Sequence, residues 1–257
     1  MSLRKALLHS TPRPLLLMVA LAGLAACSAD AEGASDDDLR SYTETLERPE
    51  VGYLHNSEKR TACTATLIGP RTVLTAAHCV DFGSTIAAAS APELGFFRIR
   101  TAQRSVDYTY RRYRADANVL QFSFDVAVVQ LDKPVDPSLA KPVSIARTFP
   151  SQGTLTVYGY GAYGKGCKKG VDGVKRKSEM SRNLLVDGSN TCGGDSGGPY
   201  FPTGGSEIVA IVKGPLGGKP LGNRGLSPGE TTGDVIQYRS WILARLAESE
   251  AGKLNQP

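Results

Sequence analysis

The chain has 257 residues, 41% hydrophobic and 21% charged, which excludes a disordered protein and leaves enough apolar surface for a core without metal or oligomer. Its formal net charge is +5, and removing Arg4, Lys5 and Arg13 with an N-terminal leader takes it to +2, too little for a nucleic-acid footprint. The one basic cluster, Lys165, Lys168, Lys169, Lys175, Arg176 and Lys177, is interrupted by glycines and has no stacking aromatics. It is expected to be a solvated loop, with no nucleic acid as partner.

In chain order, the first element is the apolar run PLLLMVALAGLAAC over 14–27, which follows three basic residues and ends in small ones. That is the pattern of a secretory signal over 1–26, and the run is shorter than the roughly 20 apolar residues a membrane-spanning helix needs. Its end, Leu24-Ala25-Ala26-Cys27, resembles the lipobox of bacterial lipoproteins. The resemblance implies cleavage before Cys27, a lipid on that cysteine as the sole membrane attachment, and, with Ser28 following, outer-membrane retention. Residues 27–47 are polar and acidic around Asp36-Asp37-Asp38 and predict a disordered tether to a domain over 48–257.

From there the chain reads as short β-rich runs separated by Gly and Pro. Strands are expected over 62–68, turned at Gly69-Pro70, and over 72–75, 125–131, 154–158 and 207–212. Many short strands of this kind predict a sandwich or barrel. Residues 217–229 are Gly/Pro-rich and expected to be loop. Only 235–248 looks helical, with Val235, Tyr238, Trp241, Ile242, Leu243 and Leu246 spaced to form an apolar stripe.

Five cysteines is an odd number. A lipid on Cys27 leaves Cys63, Cys79, Cys167 and Cys192, enough for two disulfides in an oxidising compartment, with three connectivities open.

The sharpest chemical signal is Gly194-Asp195-Ser196-Gly197-Gly198-Pro199. A serine hydroxyl is a poor nucleophile and needs a base to take its proton, and backbone N–H donors aimed at the oxyanion that its attack creates. Small neighbours let the backbone turn so that amides converge on that oxyanion. Of three histidines, His9 leaves with the signal and His55 sits in a polar stretch. His78, in Thr75-Ala76-Ala77-His78-Cys79, follows a strand and is the expected base. Asp125 opens the apolar run DVAVVQL, where its carboxylate enters the core and can orient an imidazole.

TAAHC, DVAVVQL and GDSGGP, in this order, resemble the motifs of the trypsin-like (chymotrypsin-fold) serine proteases over about 48–257. The resemblance implies an all-β fold of two packed six-stranded antiparallel β-barrels with a C-terminal α-helix, and a catalytic cleft between the barrels. It implies His78 as general base, Asp125 as its orienting carboxylate, Ser196 as nucleophile, and the amides of Gly194 and Ser196 as the oxyanion hole. It further implies a Cys63–Cys79 disulfide, which leaves Cys167 to pair with Cys192. The reaction implied is endopeptidase hydrolysis through an acyl-enzyme, with a protein or peptide substrate, no cofactor or metal, and a monomeric enzyme exported from the cell.

Three departures from the family pattern bear on function. No Ile-Val-Gly-Gly-like segment precedes Cys63, so the ion pair that Asp195 makes with a new N-terminal amine in the family has no marked source here. Lys213 stands where the family often carries a serine. Asn190 stands at the floor of the specificity pocket, where trypsin has an aspartate, so no strong preference for Arg or Lys before the scissile bond is expected. The first two departures suggest an alternative, a catalytically weak or inactive protease-like surface protein. An α/β-hydrolase is excluded because its order is Ser, Asp, His, and here it is His, Asp, Ser.

Overall fold

The computed structural model describes residues 43–81, 86–118, 124–164, 167–181, 191–213, 232–233 and 235–254. Cys27, Lys165, Asn190 and the expected loop over 217–229 lie outside these residues. Two antiparallel sheets carry the fold. The first comprises β2 (Val51–Asn56), β3 (Thr61–Gly69), β4 (Thr72–Thr75), β5 (Ile86–Arg100), β6 (Ser105–Asn118) and β7 (Phe124–Leu131), closed in the order β2-β3-β4-β7-β6-β5. The second contains β1 (Thr43–Glu44), β8 (Thr154–Gly159), β9 (Arg176–Ser181), β10 (Pro199–Pro202), β11 (Ala210–Val212) and β12 (Thr232–Gly233). Its order is β1-β9-β8-β10-β11-β12. The expectation of two closed barrels therefore holds for the first sheet; the second has six strands, but its outer strands β1 and β12 are not paired with each other among the described residues.

The apolar run after Asp125 has no polar alternation because β7 is buried on both faces. Ala127, Val129 and Leu131 point into the first barrel with Leu67, Val73 and Phe97. Val126 and Val128 point the other way, into a second cluster with Leu74, Tyr158, Phe201, Ile211 and Ile242. That second cluster joins residues of both sheets. Each side chain fully buried this way contributes roughly 1.5–3 kcal/mol, so the packing between the sheets is a major source of stability.

The C-terminal helix α1 spans Arg239–Glu250 and starts later than the apolar spacing suggests, since residues 235–238 form turns. Ile242 and Ser249 are its buried residues. The Thr72 hydroxyl donates to the Glu250 carboxylate at 2.5 Å and lies 2.7 Å from Ser249 Oγ, fastening the helix to β4.

Two sequence expectations change. The described chain is already part of the fold at Thr43, because Thr43 and Glu44 pair with Lys177 and Arg176 at the edge of the second sheet, inside the stretch read as tether. The basic cluster is not one solvated loop. Lys175 is 1% exposed and Arg176 5%, and β9 begins at Arg176. Arg176 is neutralised by a bidentate pair with Asp172 and stacks on the Tyr163 ring at 3.6 Å. Lys175 Nζ donates to the carbonyls of Arg48 and Val51 at 2.6 and 3.1 Å. Partners of this kind are what allow cationic side chains to be buried.

Candidate active site

The register of β4 against β7 sets the site. Thr75 lies opposite Ala127, so the chain leaving β4 passes beside the start of β7, where Asp125 stands. Directly after β4, Ala77–Cys79 forms a single turn of 3-10 helix that carries His78. The disulfide from Cys79 to Cys63 ties that turn back to β3.

Asp125 accepts two hydrogen bonds from one residue. Its Oδ1 takes the His78 backbone N–H at 2.9 Å, and its Oδ2 lies 2.7 Å from His78 Nδ1. The Asp125 side chain is 9% exposed and that of His78 24%, so one end of the pair is shielded and the other open. Burial by itself would raise the Asp125 carboxyl; the His78 bonds, helped by the Lys213 cation, outweigh it and hold the group below its ordinary value. Asp125 is thus an anion fixed against Nδ1 of His78, and the other ring nitrogen, Nε2, lies 3.9 Å from Cys79 Sγ.

Ser196 lies alongside. Its carbonyl accepts the Thr64 N–H at 2.9 Å and approaches Cys79 Sγ, next to His78, at 3.7 Å. Among the described residues the Ser196 hydroxyl makes no hydrogen bond, and the amides of Gly194 and Ser196 donate to no other group. The glycines of the motif have conformational reasons. Gly194 has φ +100°, and Gly197 has φ +81° with Thr75 Oγ1 only 2.2 Å from where a Cβ would stand. The hydrogen-bonded row therefore runs from Asp125 to His78, with Ser196 beside it.

Asp195 points away from the cleft. Its Oδ1 accepts the Gly161 N–H and its Oδ2 the Cys192 N–H, both at 2.8 Å. Burial pushes its carboxyl up to about 6, against the pull of those two amides and the Arg176 charge. Backbone amides thus do the holding that the family resemblance assigns to an N-terminal amine. Cys63 bonds Cys79, the pairing the resemblance implies, and Cys167 bonds Cys192, the pairing left by exclusion. Lys213 follows β11, whose Val212 exchanges backbone bonds with Gly197 and Gly198, so it adjoins the serine turn. Cys63, His78 and Cys79 sit close enough to suggest a metal, but both sulfurs are in a disulfide and cannot act as thiolate ligands. Thr64 is the residue the sequence reading missed; nothing in its local pattern marks it.

A closed antiparallel barrel packed on a second sheet, with a buried Asp–His pair beside a glycine-flanked serine, defines a serine hydrolase of the chymotrypsin-like fold. The trypsin family model matches residues 41–242, and the chain belongs to that family of serine-type endopeptidases. Similar sequences include the snake venom serine protease Haly-2 of Gloydius brevicauda, 28% identical over 72% of this chain and 78% of the relative. The thrombin-like enzyme acutin of Deinagkistrodon acutus is 27% identical over 72% of this chain and 85% of its own. Among solved structures, the mouse brain serine protease neuropsin superposes with a TM-score of 0.57 at 20% identity, covering 79% of this chain and 98% of neuropsin. Human heparin binding protein gives 0.59 at 19%, covering 85% and 97%. At these identities the two structures speak for the fold.

Proposed function

We propose that the protein is an exported endopeptidase that cleaves peptide bonds with Ser196 as nucleophile, His78 as base and Asp125 as its orienting carboxylate. The observation that carries this reading is the paired bonding of Asp125 to the ring and the backbone of His78. It fixes the tautomer with the proton on Nδ1, so Nε2 carries the lone pair that accepts the Ser196 proton as Oγ attacks the substrate carbonyl. The carbonyl oxygen becomes an anion, which the Gly194 and Ser196 amides receive. Protonated His78 then gives its proton to the leaving amine, an acyl-Ser196 ester remains, and water activated by the same Nε2 hydrolyses it. No step calls on a metal or organic cofactor.

The N-terminal sequence supports export and a lipid on Cys27, which would hold the enzyme at a membrane surface as a monomer. The name of Haly-2 as a snake venom protease agrees with export. Asn190 and the Lys213 cation argue against burying a substrate Arg or Lys without a counter-charge, so cleavage is expected to avoid basic residues before the scissile bond. Profiling on a peptide library checks this, and a dominant Arg/Lys preference overturns it. For the activity itself, wild type should hydrolyse casein while Ser196→Ala, folded normally by circular dichroism, should not. An inert wild type would favour the non-catalytic surface protein.

A further inference from the structure

Thr64 stands in β3 of the first barrel and is fully buried, yet its hydroxyl and its backbone N–H reach out of its own sheet to the chain around Ser196. Its hydroxyl accepts the Tyr160 N–H at 3.0 Å and donates to the Gly194 carbonyl at 2.9 Å. Its backbone N–H donates to the Ser196 carbonyl at 2.9 Å, and its carbonyl accepts the Thr75 hydroxyl at 2.8 Å. One side chain thus links the first barrel, the end of β8 and the turn that carries the serine.

The position of the Gly194 bond matters most. In a trans peptide the C=O and N–H point in opposite directions, so fixing a carbonyl fixes the amide of the same plane. The Gly193 carbonyl is held by the Ala162 N–H at 2.8 Å, which turns the Gly194 N–H away from Ala162. The Gly194 carbonyl is held by Thr64 Oγ1, and the Asp195 N–H of the same plane by the Cys192 carbonyl at 3.0 Å. Both peptide planes that flank Gly194 are therefore pinned. Glycine at φ +100° has no side chain to hold it there, so the constraint comes from bonds to its backbone, of which the Thr64 hydroxyl supplies the one from the first barrel.

We propose that Thr64 is a positioning residue for the oxyanion site, its hydroxyl locking the Gly194–Ser196 turn so that the two amides converge before substrate arrives. This rests on the endopeptidase reading above. The lock is uncharged and internal to the fold, so it operates in the uncleaved chain. Its effect should fall on the transition state, where the oxyanion exists, and not on ground-state binding.

The test compares Thr64→Val, which keeps the shape and loses the hydroxyl, with Thr64→Ser, which keeps the hydroxyl, on a chromogenic peptide ester. Thr64→Val should lower kcat roughly tenfold to a hundredfold with KM within about twofold, less than the 10²–10³ for deleting an oxyanion donor outright. A peptide aldehyde, whose adduct carries the oxyanion, should bind weaker by the same factor. Thr64→Ser should stay within about threefold of wild type, by the same reasoning. If the valine variant does not fold, Thr64→Ala, which leaves room for a water, is read in its place. A folded hydroxyl-less variant with wild-type kcat, a serine variant as poor as valine, or a loss confined to KM overturns the role of Thr64 alone. An inert wild type overturns the endopeptidase reading and this proposal with it.

Discussion

Replacing Asp125 with asparagine tests the tautomer argument with almost no change in shape. The carboxylate has two acceptor oxygens and both are in use, one on the His78 N–H at 2.9 Å and one on Nδ1 at 2.7 Å. Asparagine has one acceptor. The backbone N–H is a donor in every state, so the amide oxygen must face it and the NH2 group must face Nδ1. Nδ1 then has to accept, the ring proton moves to Nε2, and the atom that should take the Ser196 proton already has one. Restoring the productive tautomer means turning the amide so that donors meet donors in a pocket where the carboxyl is only 9% exposed. One of the two charge-assisted bonds becomes a donor–donor contact and the other loses its charge, at about 1.5–3 kcal/mol each, or roughly 3–6 kcal/mol in all. At about 1.4 kcal/mol per decade that is a loss of roughly two to four decades in kcat. The assay is steady-state hydrolysis of a peptide ester, with thermal melting as a check on folding. A folded Asp125→Asn enzyme within tenfold of wild type would refute the reasoning.

Three further outcomes follow from the same structure. Converting Cys63 and Cys79 to alanine opens a cross-link across 16 residues of sequence. In the chain-entropy model this costs about 3 kcal/mol, and so roughly 6–12 °C in Tm for a domain of this size, measured by calorimetry. The Asp195 carboxyl, raised by burial to about 6, keeps its proton in the fold over a window where the unfolded chain has lost it. Its contribution to stability therefore declines as pH rises from the ordinary carboxylate range to about 6. Urea unfolding at steps across that range should show the decline in wild type and not in Asp195→Asn. Lys175 is the reverse case, since burial pushes its amine down to about 7 although Glu50 and Glu47 pull upward. The folded protein then lacks a proton that the unfolded chain holds between about 7 and the ordinary lysine value, so this group makes stability rise with pH there. Lys175→Met should abolish that rise in the same unfolding experiment.

The strands that were legible in the sequence are those buried on both faces or bounded by clear turns. β3, β4, β7 and β8 emerge within one residue of their expected ends. β6 was not legible, for a physical reason. Val106, Tyr108 and Tyr110 face inward with period two, and then an irregularity between Tyr110 and Arg112 shifts the phase so that Tyr113 and Ala115 face inward instead. β5 has a comparable break between Ser90 and Gly95. A strand whose alternation changes phase midway reads as no strand at all. The expected strand over 207–212 shrinks to Ala210–Val212, with Ile208 only bridging to Ile145. Within the site, His78, Asp125 and Ser196 were legible because each sits in a specific local motif. Thr64 was not, because its importance comes from bonds to residues 96 and 130 positions away. The burial of Lys175 was hidden for a related reason: its partners Arg48 and Val51 lie far back in the chain.

The most direct measurement of the central claim is to treat the protein with a fluorophosphonate and map the adduct by peptide mass. A hydroxyl activated by His78 should be modified in wild type, at Ser196 and nowhere else. The adduct should be absent from Ser196→Ala and slowed by several decades in His78→Ala, since removal of the base leaves an ordinary alcohol. A wild type that stays unlabelled at Ser196, or a His78→Ala variant labelled as fast as wild type, would contradict the assignment.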